Sequence, residues 1–296
     1  MRSALLALVV ASLLWGTTGT AASFVSESVS PIAIGAATMA IGGALLFAVS
    51  AGGALAAIRR ADARRWLLIG AVGVVVYPLA FYSGMDLAGV AIGNVAALGS
   101  GPLFAALLEL VVDRRPLSRQ WMLGASAAIV GVALLVVGGH GDGSKTAPAS
   151  LGLGVALGLL AGAAYALYTF ASGRVIGLGV SSRATMGAVF GLGAVPLAIV
   201  LAATGAALLE RSTNLAIVGY LALGPMFLAY VLFGWGLRLI RSSTVTVITL
   251  LEPVVATLLA VAIVGERLDA LGWIGLALIL AGVSVVSTAR RPAAAH

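Results

Sequence analysis

The run Gly101-Pro102-Leu103-Phe104-Ala105-Ala106-Leu107-Leu108 returns 151 positions later as Glu252-Pro253-Val254-Val255-Ala256-Thr257-Leu258-Leu259. A polar closure follows each copy, Arg114-Arg115-Pro116-Leu117 in the first and Gly265-Glu266-Arg267-Leu268 in the second. The same offset carries Gly124 onto Gly275, Gly131 onto Gly282 and Val132 onto Val283. Residues 102–132 and 253–283 agree at 8 of 31 positions, against about three expected from so apolar a residue usage. Such a duplication divides the chain into two halves, and membrane carriers are commonly built from two repeats with the substrate between them.

Composition sets the class. Of 296 residues, 61% are hydrophobic and 9% charged, mean hydropathy is +1.14 and cysteine is absent. An ordinary soluble domain carries roughly 25% charged residues, so the chain reads as a polytopic, all-helical membrane protein. Crossing about 30 Å of hydrocarbon at 1.5 Å per residue takes about 20 apolar residues. Ten runs qualify: Leu5 to Ala22, Pro31 to Ser50, Trp66 to Ser83, Val90 to Val112 and Trp121 to Gly138 in the first half, then Leu151 to Phe170, Thr185 to Ala203, Leu215 to Gly236, Thr244 to Val264 and Leu271 to Val286.

Arginine and lysine accumulate in short cytoplasmic loops. With both termini cytoplasmic, 14 of the 17 basic residues fall inside, leaving Lys145, Arg211 and Arg267 outside. Five spans per repeat is an odd number, so the second repeat enters from the opposite side and the halves are inverted. The expected organisation is a first repeat over 1–138, an external linker over 139–150, a second repeat over 151–289 and a cytoplasmic tail over 290–296. The first span also resembles a signal segment, with Arg2, an apolar run and small residues near Thr20-Ala21-Ala22; its removal would break the five-plus-five plan. The net charge of +7 is a topology signal, because no basic cluster stands beside a soluble domain where nucleic acid could bind.

Charge within hydrocarbon is costly, so an ionisable residue deep in a span is a functional candidate. Glu252 lies 11 residues beyond Arg241, roughly 16 Å along a helix and close to the midplane. Pro253 follows it, has no N–H to donate, and leaves the Thr249 carbonyl without its helical partner. Glu252 therefore reads either as a coupling carboxylate, for a proton or another cation, or as a structural group held by hydroxyls such as those of Thr246 or Thr249. Glu109, one turn before Asp113 and near the cytoplasmic end, reads as structural, in reach of water or an arginine. Pro102 and Pro253 occupy matching mid-span positions and are candidate helix breaks beside a binding site, although Gly and Pro are common in membrane helices generally.

Trp15, Tyr77, Asn94, Tyr165, Tyr168 and Trp235 are the main candidates for a cavity lining, with Thr17, Thr18, Tyr82, Thr169 and Tyr230 behind them. Trp66, Trp121 and Trp273 read as interfacial belt residues. No Lys or Arg lies within a span to hold a phosphate. Aromatics, hydroxyls and one carboxylate suit a small zwitterionic or cationic amphiphile instead. Nothing calls for a cofactor or metal: there are no cysteines, two histidines outside the spans, no phosphate loop and no carboxylate cluster. An enzyme is not expected; a passive channel and, further off, a membrane-embedded lipid transferase are the alternatives. Oligomeric state is not readable.

The Trp15-Gly16 pair late in the first span, the Leu251-Glu252-Pro253 run and the Gly265-Glu266-Arg267-Leu268 closure resemble the drug/metabolite transporter superfamily, specifically its ten-helix EamA group. The resemblance covers essentially the whole chain. It implies two inverted five-helix repeats acting as a secondary transporter of the bacterial inner membrane, in many members an exporter of amino acids, related metabolites or toxic compounds. The chain departs from that pattern at Arg114-Arg115, where the family often has Gly-Glu, so the two closures are not expected to play matching roles.

Overall fold

The computed structural model describes residues 2–88, 90–114, 116–138, 148–264 and 269–288, and among these the chain is all helix. The helices are α1 Arg2–Gly16, α2 Thr18–Ala22, α3 Pro31–Ala48, α4 Ala51–Arg59, α5 Ala61–Ala88, α6 Val90–Val112, α7 Arg119–Gly138, α8 Pro148–Gly177, α9 Ser182–Thr204, α10 Ser212–Leu221, α11 Ala229–Leu237, α12 Ser242–Ile248, α13 Leu251–Leu259 and α14 Ala270–Thr288. Stretches of wider, π-type turn, Ala222–Leu228 and Ala260–Val264, join α10 to α11 and extend α13. Eight of the described spans are long and apolar enough to cross a membrane. Two further apolar segments, Ala96–Val112 and Arg119–Leu135, are shorter; they belong to α6 and α7, whose full backbone helices have 23 and 20 residues. The linker expected over 139–150 gives way at Pro148, which already starts α8; its remaining residues, the Gly265–Leu268 closure, Arg115 and the tail at 290–296 lie outside the described residues.

Local chemistry sets the ends. Ser30 caps α3, its hydroxyl accepting from the Ala33 N–H at 3.2 Å with Pro31 as the first helical residue. Ser181, 151 positions on, caps α9 by accepting from the Ala184 N–H at the same distance. Two breaks interrupt the apolar runs. The first falls at Thr17, whose hydroxyl turns back to the Leu14 carbonyl at 2.7 Å and separates α1 from α2. The second falls at Thr249 and Leu250, between α12 and α13. There the Thr249 carbonyl, which Pro253 cannot serve, accepts the Glu252 N–H at 2.9 Å in a tighter turn. The break expected at Pro102 does not form: Pro102 sits inside the continuous α6. The α12 run differs from it in carrying Thr246 and Thr249, both of whose hydroxyls bond back three residues to backbone carbonyls, a competition that loosens a helix.

With lipid outside, apolar burial gives little preference for one helix face, and close packing of small residues joins the helices instead. α7 and α14 touch through two glycine pairs. A Cβ added at Gly282 would stand 2.4 Å from the Gly124 carbonyl, and one at Gly275 would stand 2.6 Å from the Gly131 carbonyl. The periphery carries leucine, valine and isoleucine, such as Leu6, Val72, Leu123, Val195 and Ile199, each more than half exposed, whereas Ser12, Thr169, Ser172 and Thr185 are buried, the distribution a lipid solvent demands. Trp273 is half exposed, in keeping with a belt position, but Trp121 is buried at 6% exposure with an unpartnered indole N–H and is no belt residue. Trp66 sits under the Arg174 guanidinium, 4.9 Å from its ring centre.

Candidate functional site

Helix ends rich in arginine gather at one end of the bundle. Trp66 on α5, Asp113 beyond α6, Arg174 on α8 and the Arg238–Arg241 connection between α11 and α12 enclose a vestibule of about 750 Å³ there. Further along the same helices lies a smaller cavity of about 100 Å³, enough for several waters or a small polar group. Between the two stand Tyr168, Phe190, Tyr230, Phe233, Val245 and Thr246, all buried at 4% exposure or less. Thr249 faces the cavity and Ser242 the vestibule. Seven residues of helix separate them, a barrier about 10 Å thick.

The smaller cavity is built from both halves of the chain. Trp15, Thr18, Gly35, Thr38, Tyr77 and Tyr82 come from the first, and Tyr165, Tyr168, Pro225, Tyr230, Thr249 and Glu252 from the second. Local structure aims each group. The break at Thr17 brings Trp15 to the end of α1, where its indole N–H donates to the Pro225 carbonyl at 2.8 Å and its ring tilts against Tyr230 at 5.0 Å. Pro225 lies inside the π-type stretch, the kind of irregular turn that marks functional sites. Tyr165 shares a 2.6 Å hydrogen bond with the Thr249 hydroxyl, and Tyr168 shares one of 2.8 Å with the Tyr230 hydroxyl. Tyr77 packs against both Tyr165 and Tyr168, with ring centres 6.1 Å apart in each case.

Glu252 lies in the first turn of α13, just after the break. Its backbone is fixed by the Thr249 carbonyl, but its carboxylate accepts no hydrogen bond and meets no ion-pair partner among the described residues. The structural alternative had the carboxylate held by hydroxyls such as those of Thr246 or Thr249. Both donate to backbone carbonyls instead, at 2.9 and 3.0 Å. A carboxylate in an aromatic cavity that the protein does not satisfy must take a proton, a cation or water. Gly16 makes the arrangement possible: a Cβ there would lie 2.5 Å from Val255 Cβ and 3.1 Å from the Glu252 carbonyl, so only glycine lets α1 lie against this turn.

Of the residues expected in the lining, Trp15, Tyr77, Tyr165 and Tyr168 converge with Glu252, and Thr18, Tyr82 and Tyr230 join them. Trp235 does not. It is 42% exposed on the outside of α11 and is absent from the lining. Asn94 stands in α6 and its side chain lies outside the described part of the structure. Pro253 follows the break, whereas Pro102 marks none. Sequence reasoning passed over Thr38, Met39, Pro225 and Met226 as lining. Thr38 and Pro225 did carry a signal, a hydroxyl and a proline in the middle of apolar runs.

Comparison with known proteins places this geometry. The EamA-like transporter family model matches twice, over residues 2–137 and again over 152–288. A Bacillus subtilis (strain 168) protein described as the uncharacterized transporter YwfM is 32% identical over 287 residues, covering 95% of this chain and 93% of the relative. A second protein of that organism, the uncharacterized transporter YyaM, is 24% identical over 231 residues, covering 77% and 74%. A crystal structure described without an activity superposes with a TM-score of 0.78 at 24% identity over 97% of both chains, a likeness of fold. With both halves matched and one relative aligned along nearly all of its length, the chain belongs to the EamA-like transporter family of the drug/metabolite transporter superfamily and is a multi-pass membrane transporter.

Proposed function

We propose that the protein is a secondary active exporter of a small zwitterionic or cationic amphiphile, of the amino-acid, related-metabolite or drug class, working by alternating access in the bacterial inner membrane. The carrying observation is the unpartnered Glu252 carboxylate in an aromatic cavity lined by both halves of the chain. Tyrosine and tryptophan faces suit an organic cation or the ammonium of a zwitterion, and Glu252 offers that charge, or a competing proton, its counter-ion. In this reading ten helices form two inverted repeats with both termini cytoplasmic. The glycine contacts between α7 and α14 support it: the offset of 151 sends Gly124 to Gly275 and Gly131 to Gly282, which exchanges the Gly124–Gly282 and Gly131–Gly275 contacts, as a twofold axis between the halves would.

The vestibule at the arginine-rich end is cytoplasmic in this orientation, and the cavity sits on the far side of the barrier from it. The outward direction of net transport rests on the family resemblance. Counterflow in liposomes, with labelled amino acids and organic cations as the panel, tests the reading. One compound should exchange saturably and accelerate when unlabelled compound is trapped inside. Rapid, non-saturating flux of many solutes would point to a channel, and no flux of any panel member would refute the substrate class.

A further inference from the structure

Among the described residues that line the smaller cavity, Glu252 brings one carboxylate, and no lysine, arginine or histidine stands beside it. Arg174, Arg238 and Arg241 line the vestibule, on the far side of the barrier. The first turn of α13 offers an anion little. The Glu252 N–H is bound to the Thr249 carbonyl at 2.9 Å, Pro253 has no N–H, and the Glu252 carboxylate already stands at this helix end. Other donors are spent within the protein. The Trp15 indole N–H goes to the Pro225 carbonyl, the Thr38 hydroxyl donates to the Ile34 carbonyl at 2.7 Å, and Tyr165 is bonded to Thr249. Tyr77 and Tyr82 line the same cavity with hydroxyls that have no partner among the described residues.

We propose that this cavity selects a singly charged, protonated amine and discriminates against a zwitterion of the same size. Charge balance decides it. A protonated amine neutralises Glu252, and its N–H groups supply the hydrogen bonds that the protein does not give that carboxylate. A quaternary ammonium has no N–H to offer. The ammonium of an amino acid would pair equally well, but its carboxylate would then share a small aromatic cavity with Glu252 and find no cation there. Like charges in one poorly hydrated site repel, and an unpaired one keeps the full cost of leaving water. The ring faces of Trp15, Tyr77 and Tyr230 attract a cation and repel an anion. The free Tyr77 and Tyr82 hydroxyls are neutral donors, suited to a neutral acceptor such as an alcohol or carbonyl oxygen. The inference rests on the transporter reading and narrows its substrate class.

Two series of similar size test it: L-leucine, L-leucinol and 3-methylbutylamine, and L-phenylalanine, L-phenylalaninol and 2-phenylethylamine. In each, the carboxylate of the amino acid is replaced first by a neutral hydroxymethyl group and then by hydrogen, while the amine stays protonated at pH 7. Dissociation constants are measured on full-length protein in lipid nanodiscs, with empty nanodiscs subtracted for partition of the amines into lipid. In whichever series binds, the alcohol and the amine should bind at least about tenfold more tightly than the amino acid. Glu252→Gln should weaken both and erase most of their advantage, with the ring faces leaving residual binding. An amino acid that binds as tightly as its alcohol and amine, or a preference of the same size in Glu252→Gln, overturns the selectivity. Saturable counterflow of that amino acid would then leave the transporter reading standing. If Glu252→Gln does not fold, the wild-type ranking decides. Binding of none of the six compounds to folded wild type overturns the inference together with the amphiphile class.

Discussion

Gly16→Ala adds one methyl group where α1 crosses the turn that carries Glu252. The new Cβ would sit 2.5 Å from Val255 Cβ, 2.6 Å from Val255 Cγ1 and 3.1 Å from the Glu252 carbonyl. Ordinary carbon contacts lie at about 3.5–4.0 Å, so α1 and α13 must part by about an ångström. The Val255 Cβ is fixed to its helix backbone, which leaves a rotamer change little to offer. Overpacking of this kind costs about 1–3 kcal/mol, and a displacement of about 1 Å in a site can cost on the order of a hundredfold in rate. Gly16→Ala is therefore expected to lower the thermal midpoint in detergent and to reduce counterflow by more than its loss of folded protein explains. Gly19→Ala, three residues on, adds a methyl with nothing within 4 Å and should behave as wild type. Val255→Gly should partly rescue Gly16→Ala by removing both clashing carbons. If Gly16→Ala matched Gly19→Ala in stability and transport, the close approach of α1 to the Glu252 turn would be refuted.

Three further outcomes follow from contacts in the bundle. Trp15→Phe keeps ring packing on Tyr230 and Phe233 but removes the donor to Pro225; it should cost about 1 kcal/mol in unfolding and weaken substrate affinity, read by equilibrium binding of the counterflow substrate. Trp235→Leu should leave stability within about 0.5 kcal/mol and transport unchanged, because Trp235 faces outward. Gly282→Ala forces a methyl within 2.4 Å of the Gly124 carbonyl and should destabilise by about 1–3 kcal/mol, whereas Gly152→Ala, with nothing nearby, should not shift the thermal midpoint.

Apolar run length carried most of the helix reading, because lipid imposes a minimum span that composition reveals directly. Val90–Val112 appears with the ends read from the sequence, and the other observed helices extend those runs by a turn or less at most ends. Tyr165 and Glu252 were legible as site candidates because polar groups deep in a span have few other places to point. Trp15 and Trp235 show where that logic stops. Both are aromatics late in their spans, yet one lines the cavity and the other faces outward. The π-type stretch at Ala222–Leu228 precedes Trp235 and shifts the helical phase of everything after it; Pro225 within it marks an irregularity, but a lone proline does not say that the helix will widen. Pro102 and Pro253 make the same point: a missing N–H alone did not open α6, while the threonine hydroxyls beside Pro253 accompany a break. Glu109 was read as structural and in reach of an arginine. Its bond to Ser243 spans 134 positions, a pairing that only the packed fold can show.

The most direct test of Glu252 as the coupling group is uptake of the counterflow substrate into liposomes under an imposed pH gradient, in wild type and Glu252→Gln. Proton antiport moves substrate toward the more acidic compartment, so wild-type vesicles acidic inside should accumulate it above equilibrium and vesicles acidic outside should not. Glu252→Gln should still exchange labelled for unlabelled compound at equilibrium while losing accumulation in either gradient. Gradient-driven accumulation that persists in a folded Glu252→Gln protein would contradict the assignment.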